Sequence, residues 1–196
     1  MAAPLSDDAL DLIFRTARTY NGYQDKPVST EQLHAIWDLM KMGPTSANMS
    51  PAHIIWCVSQ ESKEKIAALS SGTNGAKILQ APVTAIIGFD VDFHTKLPRL
   101  FPHNPDAQNW FPDPSSREYV AFRNGTLQGA YFLIAARAIG LDTGPMSGFD
   151  NAAVDEQFFG GTTIKSNFIS TLGYGDPSTI FERLPRFSFE EANTII

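Results

Sequence analysis

Arg18 followed by Thr19 is the first point in the chain where residue types suggest chemistry. The guanidinium offers a planar fork for phosphate oxygens, and the hydroxyl adds another donor. An arginine closing a helix is also a good partner for the helix dipole, so both uses stay open at this point. A second segment, Gly43-Pro44-Thr45-Ser46-Ala47-Asn48-Met49-Ser50-Pro51, concentrates hydroxyl and amide groups that could hydrogen-bond a polar heteroaromatic ring. The same residue types also make ordinary turns. A third, Asn74-Gly75-Ala76-Lys77, sets an amide and a cation one turn apart if it is helical, and as an isolated feature equally fits a solvated lysine. The fourth, Gly140 to Gly148, is a glycine-rich turn whose backbone N–H groups could approach a ligand closely. It contains neither G-x-G-x-x-G nor G-x-x-x-x-G-K-[ST], which excludes a Rossmann or P-loop reading.

These segments need elements to hold them. Leu10, Ile13, Phe14 and Ala17 recur at helical spacing after Ser6, predicting a helix over 9–20 that ends near Asn21-Gly22. Leu33, Ile36, Trp37 and Met40 predict a second over 30–42, stopped by Gly43-Pro44. Short β-branched and aromatic runs predict strands over 53–58 and 82–89, with a small helix over 62–68 between them. Residues 119–139 are apolar nearly all round, as in a helix buried in a core or a subunit interface, with Gly140 as its C-cap. A short acidic helix over 151–159 and a final strand over 167–174 follow. Residues 90–117 carry five prolines among Phe101, His103, Trp110 and Phe111 without a clear period, a composition that suits a lid or binding loop, with those four aromatic residues as candidate substrate contacts.

Composition narrows the function classes. A net charge of -6 and no basic run argue against nucleic acid. The single Cys57 cannot form an intramolecular disulfide, and its apolar strand setting predicts a buried, inert thiol. No cationic leader opens the chain and no apolar run is long enough for a bilayer, so a cytoplasmic protein without membrane attachment is expected. The four histidines show no i, i+4 pair, and no metal is assigned. One domain over 1–196 suffices.

In order along almost the whole chain, the segments resemble the nitroreductase family. Arg18-Thr19 leads to Tyr23 and Pro27-Val28, then comes Pro44-Thr45-Ser46-Ala47-Asn48, then Asn74 and Lys77 before Ala81-Pro82. Gly140-Leu141-Asp142-Thr143 with Met146 and Gly148, Gly173-Tyr174, and Arg186 ahead of Glu190-Glu191 complete the series.

The resemblance implies an α+β fold, a small mixed β-sheet flanked by helices in an intertwined homodimer, with 90–117 as a lid. It implies FMN as cofactor and NADPH or NADH as reductant. Arg18, Thr19 and Arg186 would hold the FMN phosphate, with Asn21 in the same turn, where many relatives carry a basic residue. Pro44, Thr45, Ser46 and Asn48 would approach the ring from the partner subunit, and Ser50 stands where relatives carry Gln. Asn74 and Lys77 would face the ribityl chain and pyrimidine edge, and Pro145, Met146, Ser147 and Gly148 would lie near N5. No catalytic side chain is assigned, because the flavin N5 carries the hydride. Within the family the chain looks closest to the branch reducing malonic semialdehyde to 3-hydroxypropanoate in pyrimidine breakdown, by ping-pong hydride transfer. The similarity rests on segments including Leu100-Phe101-Pro102-His103 and Leu184-Pro185-Arg186. A broad nitro or quinone reductase and a non-catalytic flavin-binding protein remain the alternatives. Arg99 and Arg123 are candidates by residue type only for a substrate carboxylate.

Overall fold

The computed structural model of the chain describes residues 3–196. A four-stranded sheet in the order β1-β2-β4-β3 forms its centre, from β1 (Ala52–Cys57), β2 (Val83–Asp90), β3 (Asp142–Met146) and β4 (Ile164–Gly173). Every ladder in it is antiparallel, so the sheet is not the mixed one expected. Among the described residues, the one parallel pairing is the isolated bridge Thr19 to Thr143, which adds the segment after the first helix beside β3.

Period-2 alternation splits the core across the sheet. Ala85 and Ile87 of β2 face Ile36 and Met40 of α2 (Thr30–Met40) and Phe132 of α6 (Pro114–Ala138). Ile86 and Ile169 face Ile66 of α3 (Gln60–Ala68), Ile78 of α4 (Asn74–Gln80) and Val154 and Phe159 of α7 (Asn151–Phe159). With helices on both faces, β2 is buried along its whole length. Gly129 lets α6 lie close on the sheet, because a Cβ there would stand 2.4 Å from Phe168 Cε1.

Several predicted elements form as read. Helix α2 opens on a Ser29–Gln32 capping box, and α6 starts five residues earlier than its apolar stretch suggested because Asp113 caps it and Pro114 occupies its first turn. Cys57 is fully buried at the end of β1 and burial pushes its thiol up to about 11, so it is inert in the folded state.

Three readings change. The first helix is short: α1 (Asp7–Leu10) passes into a π-turn over Asp11–Arg15, and Thr16 Oγ1 donates to Asp11 O at 2.9 Å, closing it ahead of Arg18. The aperiodic stretch after β2 is ordered as 3-10 turns at Phe93–Lys96 and Pro105–Trp110 and a short α5 (Leu97–Leu100). Phe93, Leu97 and Ala107 bury a satellite core with Met49, Phe89 and Ala121. The glycine-rich turn over 140–148 is largely strand β3, whose Pro145 is tolerated because this is an edge strand. The last helix, α8 (Phe189–Ala192), lies in a fully exposed tail.

Candidate functional site

Helix termination at Arg15 removes the helix-dipole use of Arg18. Arg15 takes that position instead, paired at 2.9 Å with Asp7 and 3.1 Å with Asp11. Arg18 and Thr19 continue into the bridge with β3 and line a cleft of 650 Å³ that also contains Asn21, Arg137, Arg183 and Arg186. The two ends of the chain, predicted as one clamp, therefore meet. Arg137 and Arg183 join them without having been singled out in the sequence.

The bonding of these arginines is unusual. Arg18 donates to Phe181 O, Arg183 to Arg15 O at 2.8 Å and Ala17 O at 3.2 Å, and Arg186 to Leu184 O and Pro185 O at 3.0 Å each. Arg137 donates to Ile13 O at 3.2 Å. Their partners among the described residues are backbone carbonyls, and Glu182 is the only carboxylate lining the cleft. Each guanidinium carries five N–H donors, so most remain free. Arg137 Nε is buried without any partner, and burial presses the Arg137 pKa down against the pull of nearby Asp142. Four guanidinium groups with spare donors and one opposing acid have the charge and donor set that would suit a multiply charged anion such as a phosphate monoester.

From Thr143 the edge strand β3 runs away from this cleft. At about 3.3 Å per residue, Thr143 to Gly148 covers roughly 17 Å, on the scale of an extended mononucleotide. At its far end Gly148 O accepts from Asn74 Nδ2 at 3.1 Å and from Ser71 N at 2.9 Å. A Cβ at Gly148 would lie 2.7 Å from Ser71 Oγ and 2.8 Å from Asn74 Nδ2, so glycine permits this close approach. Asn74 opens α4 and Lys77 follows one turn later, half-buried and without a carboxylate partner among the described residues. Met146 packs its side chain on the core, leaving its backbone to the edge, while Pro145 pairs with Ser170 and Ser147 is exposed. Asn21 lines the cleft with its Nδ2 committed to Thr179 O at 2.9 Å.

The remaining predicted segment lies elsewhere. Pro44, Thr45, Ser46 and Asn48 precede β1 at the opposite edge of the sheet. Ala47, Asn48 and Ser50 all adopt positive φ (48°, 49° and 40°), a left-handed conformation that costs side-chain-bearing residues. The loop is held by Ser46 N to Asn124 Oδ1 at 2.9 Å, Ser50 N to Thr45 Oγ1 at 3.1 Å and Asn48 Nδ2 to Leu100 O at 2.8 Å. The register puts Thr143 level with the Cys57 end of β1 and this loop at the Ala52 end. Three strand spacings and five residues along place the two on the order of 20 Å apart. One chain does not join them.

Of the aromatic candidates, Phe101 stacks near His103 (centroids 3.9 Å apart) and Trp110 (6.1 Å), whereas Phe111 turns onto buried Phe93. Arg123 donates to Tyr119 Oη at 2.5 Å on the outer face of α6. Among the described residues no three metal-ligating side chains converge, and no helix is long and apolar enough to cross a membrane.

Comparison with known proteins bears on this arrangement. The nitroreductase family profile matches residues 14–174. A Caulobacter sp. strain K31 protein, provisionally named an NADH dehydrogenase/NAD(P)H nitroreductase, is 56% identical over 194 residues, covering 99% of this chain and 100% of its own. A Stenotrophomonas maltophilia strain K279a protein of the same provisional name is 58% identical, with 100% of each chain covered. Among solved structures, a provisionally named nitroreductase from Exiguobacterium sibiricum in complex with FMN superposes with TM-score 0.87 at 16% identity, covering 100% of both chains. A Bacillus subtilis one gives 0.85 at 18%, covering 97% of this chain and 100% of the other. The profile match over most of the chain and the full-length relatives agree with the shared fold, and the chain belongs to the nitroreductase family.

Proposed function

We propose that this protein is an FMN-dependent NAD(P)H oxidoreductase that reduces malonic semialdehyde to 3-hydroxypropanoate. The observation that carries the cofactor assignment is the cleft in which Arg18, Arg137, Arg183 and Arg186 converge with one opposing carboxylate. A phosphate dianion supplies the charge this cleft lacks, and the spare guanidinium N–H groups of Arg18, Arg183 and Arg186 that line it offer donors. The hydrogen bonds from Asn74 Nδ2 and Ser71 N to Gly148 O fix the end of β3, which on this reading borders the flavin ring.

Bound FMN would supply the redox chemistry, accepting a hydride equivalent from NAD(P)H and passing it to a substrate carbon. The chain's own part is binding and field. Thr19 adds a hydroxyl beside the arginines, and Lys77 stands free of any carboxylate among the described residues to offset negative charge at the pyrimidine edge. Thr45, Ser46 and Asn48 serve the ring of the second subunit, which is why they stand remote from their own arginine cleft. A homodimer is also favoured by apolar surface: on α6 Tyr119 is 58% and Phe122 47% exposed, and in the tail Phe181 is 76% and Phe187 80% exposed. The 90–117 segment, with Phe101, His103, Trp110 and Phe111, covers the substrate side.

The malonic semialdehyde assignment is supported by the likeness of the segments at 17–22, 43–48, 100–103, 144–150 and 184–192 to that branch. The nitroreductase names of its relatives favour a second reading, a broad nitro or quinone reductase. One experiment separates them. The purified protein should carry FMN, bleach with NADPH under anaerobic conditions, and recover its colour on adding malonic semialdehyde faster than on adding a nitroaromatic or a quinone. Bleached protein that the aldehyde fails to reoxidise excludes that substrate, and colour that neither NADPH nor NADH bleaches excludes an enzyme.

A further inference from the structure

The cleft at the strained loop carries a charge pattern that the FMN reading leaves unused. It encloses 790 Å³ between the loop, α5 and β1, and is lined by Pro44, Asn48, Ser50, His53, Lys96 and Arg99, among others. Its lining holds three cations and no aspartate or glutamate. Two of these cations are spoken for. Lys41 pairs at 2.5 Å with Asp38, and Lys96 pairs with Asp90, which is buried just behind it. Arg99, exposed on α5, has no carboxylate partner among the described residues. His53 is half-buried, and burial lowers its pKa, so at neutral pH it offers hydrogen bonding without a competing charge.

Arg99 is also coupled to the loop. Asn48 Nδ2 donates to Leu100 O, the carbonyl next to Arg99, and Asn48 and Ser50 hold their positive φ at the cleft's rim. Asn48, expected to meet the partner's flavin, therefore ties the loop to the turn of α5 that carries Arg99, the one cation of the cleft unpaired among the described residues.

We propose that this cleft is a carboxylate subsite, in which Arg99 binds the acid group of a small carbonyl substrate and His53 lies beside it. The proposal rests on the reading that the Pro44 to Asn48 loop faces the flavin of a second subunit. It selects short oxo-acids over neutral aldehydes, and it gives Arg99 the role of a specificity-determining residue. A bidentate guanidinium–carboxylate pair suits it better than a lysine, whose charge lacks the fork.

The test uses the flavin-loaded protein and two isosteric probes, propanoate and propanamide, titrated while the flavin absorbance is followed. Propanoate should perturb the spectrum, and Arg99→Gln should weaken its binding by about 10- to 100-fold, with part of the loss recovered by Arg99→Lys and propanamide binding unchanged. In turnover, Arg99→Gln should raise KM for malonic semialdehyde with little change in kcat, and leave propanal reduction as it was. A propanoate Kd unaltered in Arg99→Gln, no perturbation by propanoate in the wild type, or an equal loss for propanamide would each overturn the subsite. FMN content and bleaching by NADPH are measured on the same samples. If both are normal, such a failure removes the subsite alone, and a wild-type chain without flavin removes the underlying reading as well.

Discussion

In the proposed function, the two edges of the sheet would serve recognition in opposite ways. At the β3 edge, side chains carry it: four guanidinium groups from distant parts of the chain converge on one cleft over otherwise ordinary backbone. At the β1 edge, backbone carries much of it: three side-chain-bearing residues between 47 and 50 are held in a left-handed conformation, pinned by Asn124, Thr45 and Leu100. The first arrangement suits a charged group that can be gripped from many directions. The second suits a flat surface against which a loop must hold its shape. Because the edges lie on the order of 20 Å apart, the comparison implies that one ligand can use both only across two subunits.

The largest effect expected is on the charged edge. Replacing Arg18 and Arg186 together with Ala should weaken FMN binding by about two to four orders of magnitude, taking roughly 1.5–3 kcal/mol for each charge-assisted contact. Isothermal titration of the apoprotein measures it, and circular dichroism should show the fold unchanged. A double variant that retains stoichiometric FMN would remove the clamp and, with it, the contrast between the edges.

Next comes the buried carboxylate supporting the β1 edge. Burial alone would raise the Asp90 pKa, but Lys96, Thr163 Oγ1 and Asp92 N outweigh it, and the net shift is downward. Its contribution is therefore present above the unfolded-state carboxylate range and is lost as pH falls through the lower folded value. Asp90→Asn should destabilise the protein by about 1–3 kcal/mol at neutral pH. It should also flatten the loss of stability below about pH 4. Urea unfolding at a series of pH values tests this, and an unchanged acid limb would show that Asp90 does not anchor the segment carrying Arg99.

At the end of β3, Gly148→Ala would push Asn74 Nδ2 and Ser71 Oγ aside, since both are ends of side chains. The cost should be about 0.5–1.5 kcal/mol, the net worth of a hydrogen bond, with a parallel drop in FMN affinity. A full-affinity variant would mean that the flavin does not reach this far along the strand.

The smallest change is a gain. Ala47→Gly removes roughly 1–2 kcal/mol of left-handed strain, partly offset by about 0.5–1 kcal/mol of added unfolded-state freedom. Thermal melting should rise slightly while FMN affinity falls, if the strain shapes the loop for the ring. A rise in both would mean that the loop's shape is incidental.

Much of the architecture was legible because it depends on local pattern. Helix α2 follows from apolar spacing and the Gly43-Pro44 stop, and α7 from its short acidic run. The long α6 follows from its all-round apolar composition, and β2 from its β-branched run. Motif order along the chain sufficed for the family, since it survives without knowledge of contacts. Strand β3 was not legible: Asp-Thr-Gly-Pro-Met has a glycine and a proline where β-branched residues would signal a strand, and it is one because β4 supplies its hydrogen-bond partners. The short helices after β2 also escaped, because helices of a single turn leave too few residues to show a period.

Arg18 and Arg186 could be singled out by type and by the family's motif order. Arg137 and Arg183 could not, because an arginine inside a long helix or an exposed tail reads as ordinary surface charge. What made them part of a site is convergence: a tail folded back onto Ala17 and Asn21, and α6 aimed at the same turn. The sequence by itself determined which groups are available and which elements carry them. Tertiary structure decided which of those charges meet with a single carboxylate among them, because charge neutralisation depends on separation in space and not along the chain.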